Sequence, residues 1–142
     1  MQGGVKASLA CAPGVPTVVG MDGPWRIEYY VDEHGRDPFR RWVDGLPPSA
    51  ARAVIDEIEL RLALDGPNVC RDHWGRSLGL GLYEFRIRKH EILVRVFFGT
   101  ARGRVVIILG GLDKGRRPKH QRAAIEEARR RLADHRHRHN TV

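Results

Sequence analysis

The feature that most constrains the fold is a pair of alternating segments, Leu82-Tyr83-Glu84-Phe85-Arg86-Ile87-Arg88 and Ile92-Leu93-Val94-Arg95-Val96-Phe97-Phe98, separated by a short polar break. Successive side chains in a strand point to opposite faces, so Tyr83, Phe85 and Ile87 share one face and Glu84, Arg86 and Arg88 the other. A turn at Lys89 and His90 predicts a hairpin in which Ile87 opposes Ile92, Phe85 opposes Val94 and Glu84 opposes Arg95. One face is then core: Tyr83, Phe85, Ile87, Ile92, Val94 and Val96. The other carries Glu84, Arg86 and Arg95 among Leu82, Leu93 and Phe97, a basic, partly aromatic surface that suits a phosphate backbone.

The segments around this hairpin supply the rest of a domain. Trp25 to Val31 alternates as a strand. Asp37 before Pro38 is a helix-start signal, Phe39, Trp42 and Val43 give that helix an apolar side, and Gly45 closes it. Ser49 is placed to cap a longer helix with a stripe of Ala51, Val54, Ile55, Ile58 and Leu62, ended by Asp65-Gly66-Pro67. Asn68 to Gly81 reads as a loop. Arg104 to Leu109 is apolar enough to be an interior strand covered on both faces, and a loop to Lys119 leads into a helix over Gln121 to Asp134. The order strand, helix, helix, three-strand antiparallel meander, helix predicts an α+β domain, with helices on one face of a small antiparallel sheet and the other face open.

Charge narrows the partners. The chain has 142 residues, with 25 Lys and Arg against 17 Asp and Glu, a formal charge of +8. That balance favours an acidic or polyanionic partner, nucleic acid first. Cys11 and Cys70 are too few for a disulfide framework and lie in no metal-ligand spacing, which fits a reducing cytoplasm and no metal. Residues 1–23 read as a disordered leader or a start assigned too early, with Met21 as the alternative. Pro13, Gly14 and Pro16 interrupt that stretch before a signal-peptide core develops. Residues 24–134 form the expected domain and 135–142 a basic disordered tail. No stretch is apolar enough to cross a membrane.

In order, the segments resemble the RelE/ParE toxin superfamily and, within it, the phage-derived HigB-like branch of type II toxin–antitoxin systems. The opening strand with its Asp-Pro helix, Trp42-Val43-Asp44-Gly45-Leu46-Pro47, Val94 to Phe98, Val105 to Leu109 and Ile125-Glu126-Glu127-Ala128-Arg129 all match. Gly81-Leu82-Tyr83-Glu84-Phe85-Arg86 is the most specific element. The resemblance implies a RelE-like fold and a small cytoplasmic endoribonuclease that cuts messenger RNA on the ribosome, needs no metal or cofactor, and is held inactive by a cognate antitoxin. In that chemistry the 2′-hydroxyl attacks the adjacent phosphodiester, so the site must accept a proton, donate another and stabilise added charge on phosphorus oxygens.

The resemblance assigns Arg86, Arg95 and Lys114 as catalytic residues; Arg88, Arg116, Arg117 and Lys119 are the expected RNA contacts because nonspecific phosphate contacts need only be basic and near the groove. Gly110-Gly111-Leu112-Asp113-Lys114-Gly115 stands where many HigB-like relatives place His-Gly-Phe-x-Lys-Lys, so the expected histidine and second lysine are missing. A ParE-like inhibitor of DNA gyrase, and a degenerate toxin that keeps only antitoxin or nucleic-acid binding, are therefore the alternatives. Glu84 reads as an orienting partner of the arginines rather than a base. Trp74 with Arg71 and Arg76 offers a stacking platform for an unpaired base, against a plainer role as a loop anchor. His73, His90 and His120 qualify as proton donors by type only, with His120 closest to the basic loop.

Overall fold

The structure, a computed structural model, describes residues 24–89, 92–113 and 117–139. The expected leader, His90, Lys114, Arg116 and the last three residues of the expected tail lie outside the described residues. Five strands form one sheet: β1 (Arg26–Tyr29), β2 (Gly75–Gly79), β3 (Leu82–Lys89), β4 (Ile92–Ala101) and β5 (Val105–Leu112), in the order β1-β5-β4-β3-β2. All neighbours are antiparallel except β1 and β5. The architecture is the α+β, RelE-like one expected.

Local sequence accounts for the helices. α1 (Pro38–Asp44) starts where Asp37 accepts a hydrogen bond from the Arg40 amide at 3.0 Å, with proline at its first position. α2 (Pro48–Glu57) begins at Pro48 itself, and Ser49 makes no cap. A proline at the first helical position lacks only an N–H that would have been unpaired there anyway. The helix runs on through a π turn (Ile58–Leu62) and a last turn (Ala63–Asp65), burying Val54, Ile58 and Leu62 against the sheet. Gly66 ends it in a left-handed conformation, directly beneath the Trp25 indole.

The hairpin register differs from the expected one by two residues. Lys89 pairs with Ile92, Ile87 with Val94, Phe85 with Val96 and Arg86 with Arg95, so Lys89 is strand rather than turn. A two-residue slip preserves alternation, which is why the core face is still the expected one: Phe85, Ile87, Val94 and Val96 pack with Phe98, Val106 and Ile108 under α1 and α2.

Two further differences matter for the site. The expected loop after Pro67 contains a 3-10 helix (Gly66–Asp72) and the edge strand β2. β2 brings Gly75 so close to β3 that a side chain there would run into the Glu84 carbonyl. The second face of the sheet is not fully open either. α3 (Pro118–Arg138), longer at both ends than its amphipathic stretch suggests, lays Ala128 and Leu132 on Leu82, Phe97, Val105, Ile107 and Leu109. The near-continuous apolar run of β5 is thus covered on both faces, as expected of it. Among the described residues, no helix is long and apolar enough to cross a membrane.

Candidate functional site

β2, β3 and β4 lie side by side, and one face of these three strands carries Arg76, Glu84, Arg86, Arg88 and Arg95. Arg76 is directly opposite Glu84, Arg86 directly opposite Arg95, and Arg95 diagonal to Glu84. Glu84 is only 1% exposed, and the only charged side chain among the described residues that is fully buried. Arg86 donates its Nε to Glu84 Oε2 at 2.9 Å. The Arg95 Nε lies 3.5 Å from the same oxygen and the Arg76 Nε 3.6 Å from Oε1. The three side chains are 49%, 40% and 17% exposed for Arg76, Arg86 and Arg95, so the group slopes from the sheet edge inward to Arg95.

This arrangement concentrates positive charge. Like charges facing each other across a strand pair repel, and the Arg86–Arg95 pair is tolerable because the Glu84 carboxylate lies between them. Guanidinium groups with free N–H edges bind oxyanions, often two bonds at a time. A face of this kind can bind an oxyanion.

The other expected residues fall into three positions. Arg88 is exposed, farther along β3 on the same face. Arg117, the residue before the first turn of α3, and Lys119 within that turn are both exposed. The loop that leads to them leaves the sheet at Leu112, which pairs with Arg95. Asp113, the first loop residue, accepts a hydrogen bond from the Trp42 indole at 3.1 Å, while Trp42 packs flat over Gly111 where no side chain would fit. Lys114 and Arg116, next along, lie outside the described residues.

Arg76, expected only beside Trp74 and Arg71 in a loop, stands instead on this strand face opposite Glu84. Its segment, Gly75-Arg76-Ser77-Leu78-Gly79, has two glycines and no β-branched residue, so it gives almost no strand signal and its alternation passes unnoticed. Trp74 is over a third exposed, with the Arg61 guanidinium 4.3 Å above its ring, and its carbonyl accepts the Arg86 amide at 2.6 Å. It anchors β2 to β3 through its backbone while its ring stays at the surface. Tyr83 stacks on Phe98 on the core face, as expected. His73 and His120 are exposed.

A second polar region, beyond the end of β1, is a cleft lined by Tyr30, Arg41, Trp42, Arg130, Arg131 and Asp134 among others. Its charges largely compensate each other. Arg130 and Arg131 both pair with Glu127, and Arg131 also donates to the Leu109 carbonyl at 2.8 Å. The Tyr30 hydroxyl donates to Asp134 at 2.6 Å, and Arg138 binds the same carboxylate. Burial, then Asp134, pushes the Tyr30 hydroxyl up, and Arg138, then Tyr30, holds Asp134 below the usual aspartate range. Burial and the Glu84 charge raise the Cys70 thiol, so it is a poor nucleophile. Excess positive charge thus sits with Glu84 and its arginines, not in the cleft.

No group of three or more potential metal ligands occurs among the described residues. Residues 41–133 match the family model described as phage derived protein Gp49-like (DUF891). No curated protein matches the chain.

Proposed function

The chain belongs to the phage-derived Gp49-like family of toxin–antitoxin-type toxins, within the RelE/HigB toxin-like superfamily, and from that membership we propose that it is a messenger RNA endoribonuclease restrained by a cognate antitoxin. The observation that carries the reading is the convergence of Arg76, Arg86 and Arg95 on the buried Glu84, on a face otherwise short of negative charge. The RNA strand crosses this face with its scissile phosphate on the arginines. The 2′-oxygen attacks phosphorus as its proton leaves, the bond to the 5′-oxygen breaks, and that oxygen takes up a proton. The products are a 2′,3′-cyclic phosphate and a 5′-hydroxyl. Arg86 and Arg95 stabilise the charge that builds on the non-bridging oxygens. Lys114 is assigned to phosphate contact or proton transfer, and Arg88, Arg116, Arg117 and Lys119 to the flanking backbone. Ribosome-bound messenger RNA in the cytoplasm is the proposed substrate.

The test is induced expression of the wild type and of the Arg86→Ala, Arg95→Ala double variant, with growth and the 5′ ends of cellular messenger RNA followed together. Growth arrest with new cuts that the double variant abolishes supports the nuclease. One observation favours a second reading: among the described residues, the groups that converge on the face are guanidiniums and a carboxylate, with no imidazole to move protons. A ParE-like gyrase inhibitor needs none. Arrest with intact messenger RNA selects that reading, and no arrest selects a binding-only toxin.

A further inference from the structure

We infer that Glu84 is a positioning residue that holds arginines from three adjacent strands as one phosphate cradle, and that Arg76, on the edge strand, is a substrate contact of that cradle. The ligand, an RNA phosphodiester, rests on the nuclease reading above.

Three features carry the inference. First, all three arginines turn the same atom, Nε, toward the carboxylate, at 3.6 Å for Arg76, 2.9 Å for Arg86 and 3.5 Å for Arg95. Glu84 therefore lies on the Nε side of each guanidinium fork. Second, Glu84 is 1% exposed, so it cannot swing out to water and the three guanidiniums are held around a fixed point. Third, the charges sum to the right value. Three guanidiniums and one carboxylate leave two positive charges. A phosphodiester has a single negative charge and gains a second as the 2′-oxygen adds, so the cradle matches the transition state better than the ground state. Without Glu84 the site would have more positive charge and less order. The guanidiniums would repel one another and spread into solvent.

The test separates position from charge. Cleavage of a defined RNA is measured under single turnover, and binding of the same RNA with a 2′-deoxy residue at the cut site is followed over a salt series. Side-chain nitrogen NMR of the arginines is recorded alongside. Glu84→Gln is expected to lower the cleavage rate at least tenfold, to leave binding of the deoxy analogue equal or tighter, and to shift the Nε–H signals of all three arginines together. Arg76→Ala, at an exposed edge that the fold does not depend on, is expected to slow cleavage and to reduce the magnitude of the salt slope by about 0.7, the loss of one phosphate contact on a single strand. Folded Glu84→Gln with cleavage within twofold of wild type overturns the positioning role. Arg76→Ala with an unchanged salt slope overturns the substrate contact. Wild-type protein that binds the deoxy analogue and cuts no RNA overturns the nuclease reading instead. In that case the joint movement of the three arginine signals in Glu84→Gln still decides whether Glu84 organises them.

Discussion

Arg95 Nε and Glu84 Oε2 lie 3.5 Å apart on neighbouring strands without forming a hydrogen bond, and that Nε is buried with no other acceptor. An unpaired buried donor costs about 1–3 kcal/mol, and this one is a short movement away from a hydrogen bond to Glu84. Arg95→Lys keeps the charge and removes the fork. It is expected to lower the cleavage rate on the order of 10²-fold, with little change in RNA affinity and no loss of thermal stability. Single-turnover kinetics beside a melting curve checks this. Wild-type cleavage by the lysine variant would mean that charge alone matters at this position.

Gly75 brings β2 against β3 at the point where Arg76 faces Glu84. A methyl group there meets the Glu84 carbonyl, a backbone atom that has nowhere to retreat. Gly75→Ala should therefore push the edge strand outward, destabilise the protein by about 1–3 kcal/mol, and weaken RNA binding to the level of Arg76→Ala. Denaturant titration and RNA binding measured on the same samples decide it. An alanine variant as stable as wild type would show that the close approach is not needed.

The sequence made the faces of the hairpin legible but not its register. Alternation is insensitive to a slip of two, so Phe85, Ile87, Val94 and Val96 were placed in the core correctly while Arg95 was set opposite Glu84 instead of Arg86. The Asp37-Pro38 helix start was legible because capping is local chemistry. β2 was not, since Gly75 serves packing against β3, Gly79 takes a positive φ at the strand's end, and neither carries strand propensity of its own. The position of α3 was not legible either. An amphipathic helix shows that it covers something, and only the apolar side chains on the second sheet face, Leu82, Phe97 and Ile107, tell what. On the candidate face, the side on which Arg86 and Arg95 stand was legible because their strands are strongly patterned, whereas Arg76, read beside Trp74 in a loop, could not be set opposite Glu84 because its strand carries no signal.

Leu132 fixes α3 to that second face. It is 2% exposed and reaches Gly99 of β4 so closely that a side chain at Gly99 would strike its methyl groups. Truncation leaves a cavity that the rigid strands cannot close, so Leu132→Ala is expected to destabilise the protein by about 2–5 kcal/mol. Arg86, Arg95 and Glu84 lie on strands joined by their own ladder, so RNA cleavage by the folded fraction should persist at low temperature. Cleavage lost in step with α3 packing, in protein still folded by circular dichroism, would instead make the helix part of the site.

The end of α3 is tied to the chain after β1 by Asp134, which accepts from the Tyr30 hydroxyl and from Arg138, while Arg138 also reaches the Val31 carbonyl. These partners hold the Asp134 carboxyl below its ordinary value of 3.8. A carboxyl depressed on folding contributes stability that is present above its unfolded value and lost as pH falls through the depressed one. Acid should therefore loosen the last turns of α3 only below about pH 4, and Asp134→Asn should remove that step while leaving the protein slightly less stable at neutral pH. Amide exchange at residues 132–138, followed from pH 6 to pH 3, reads both effects. Exchange that accelerates equally in wild type and Asp134→Asn would mean that another carboxyl governs the acid response.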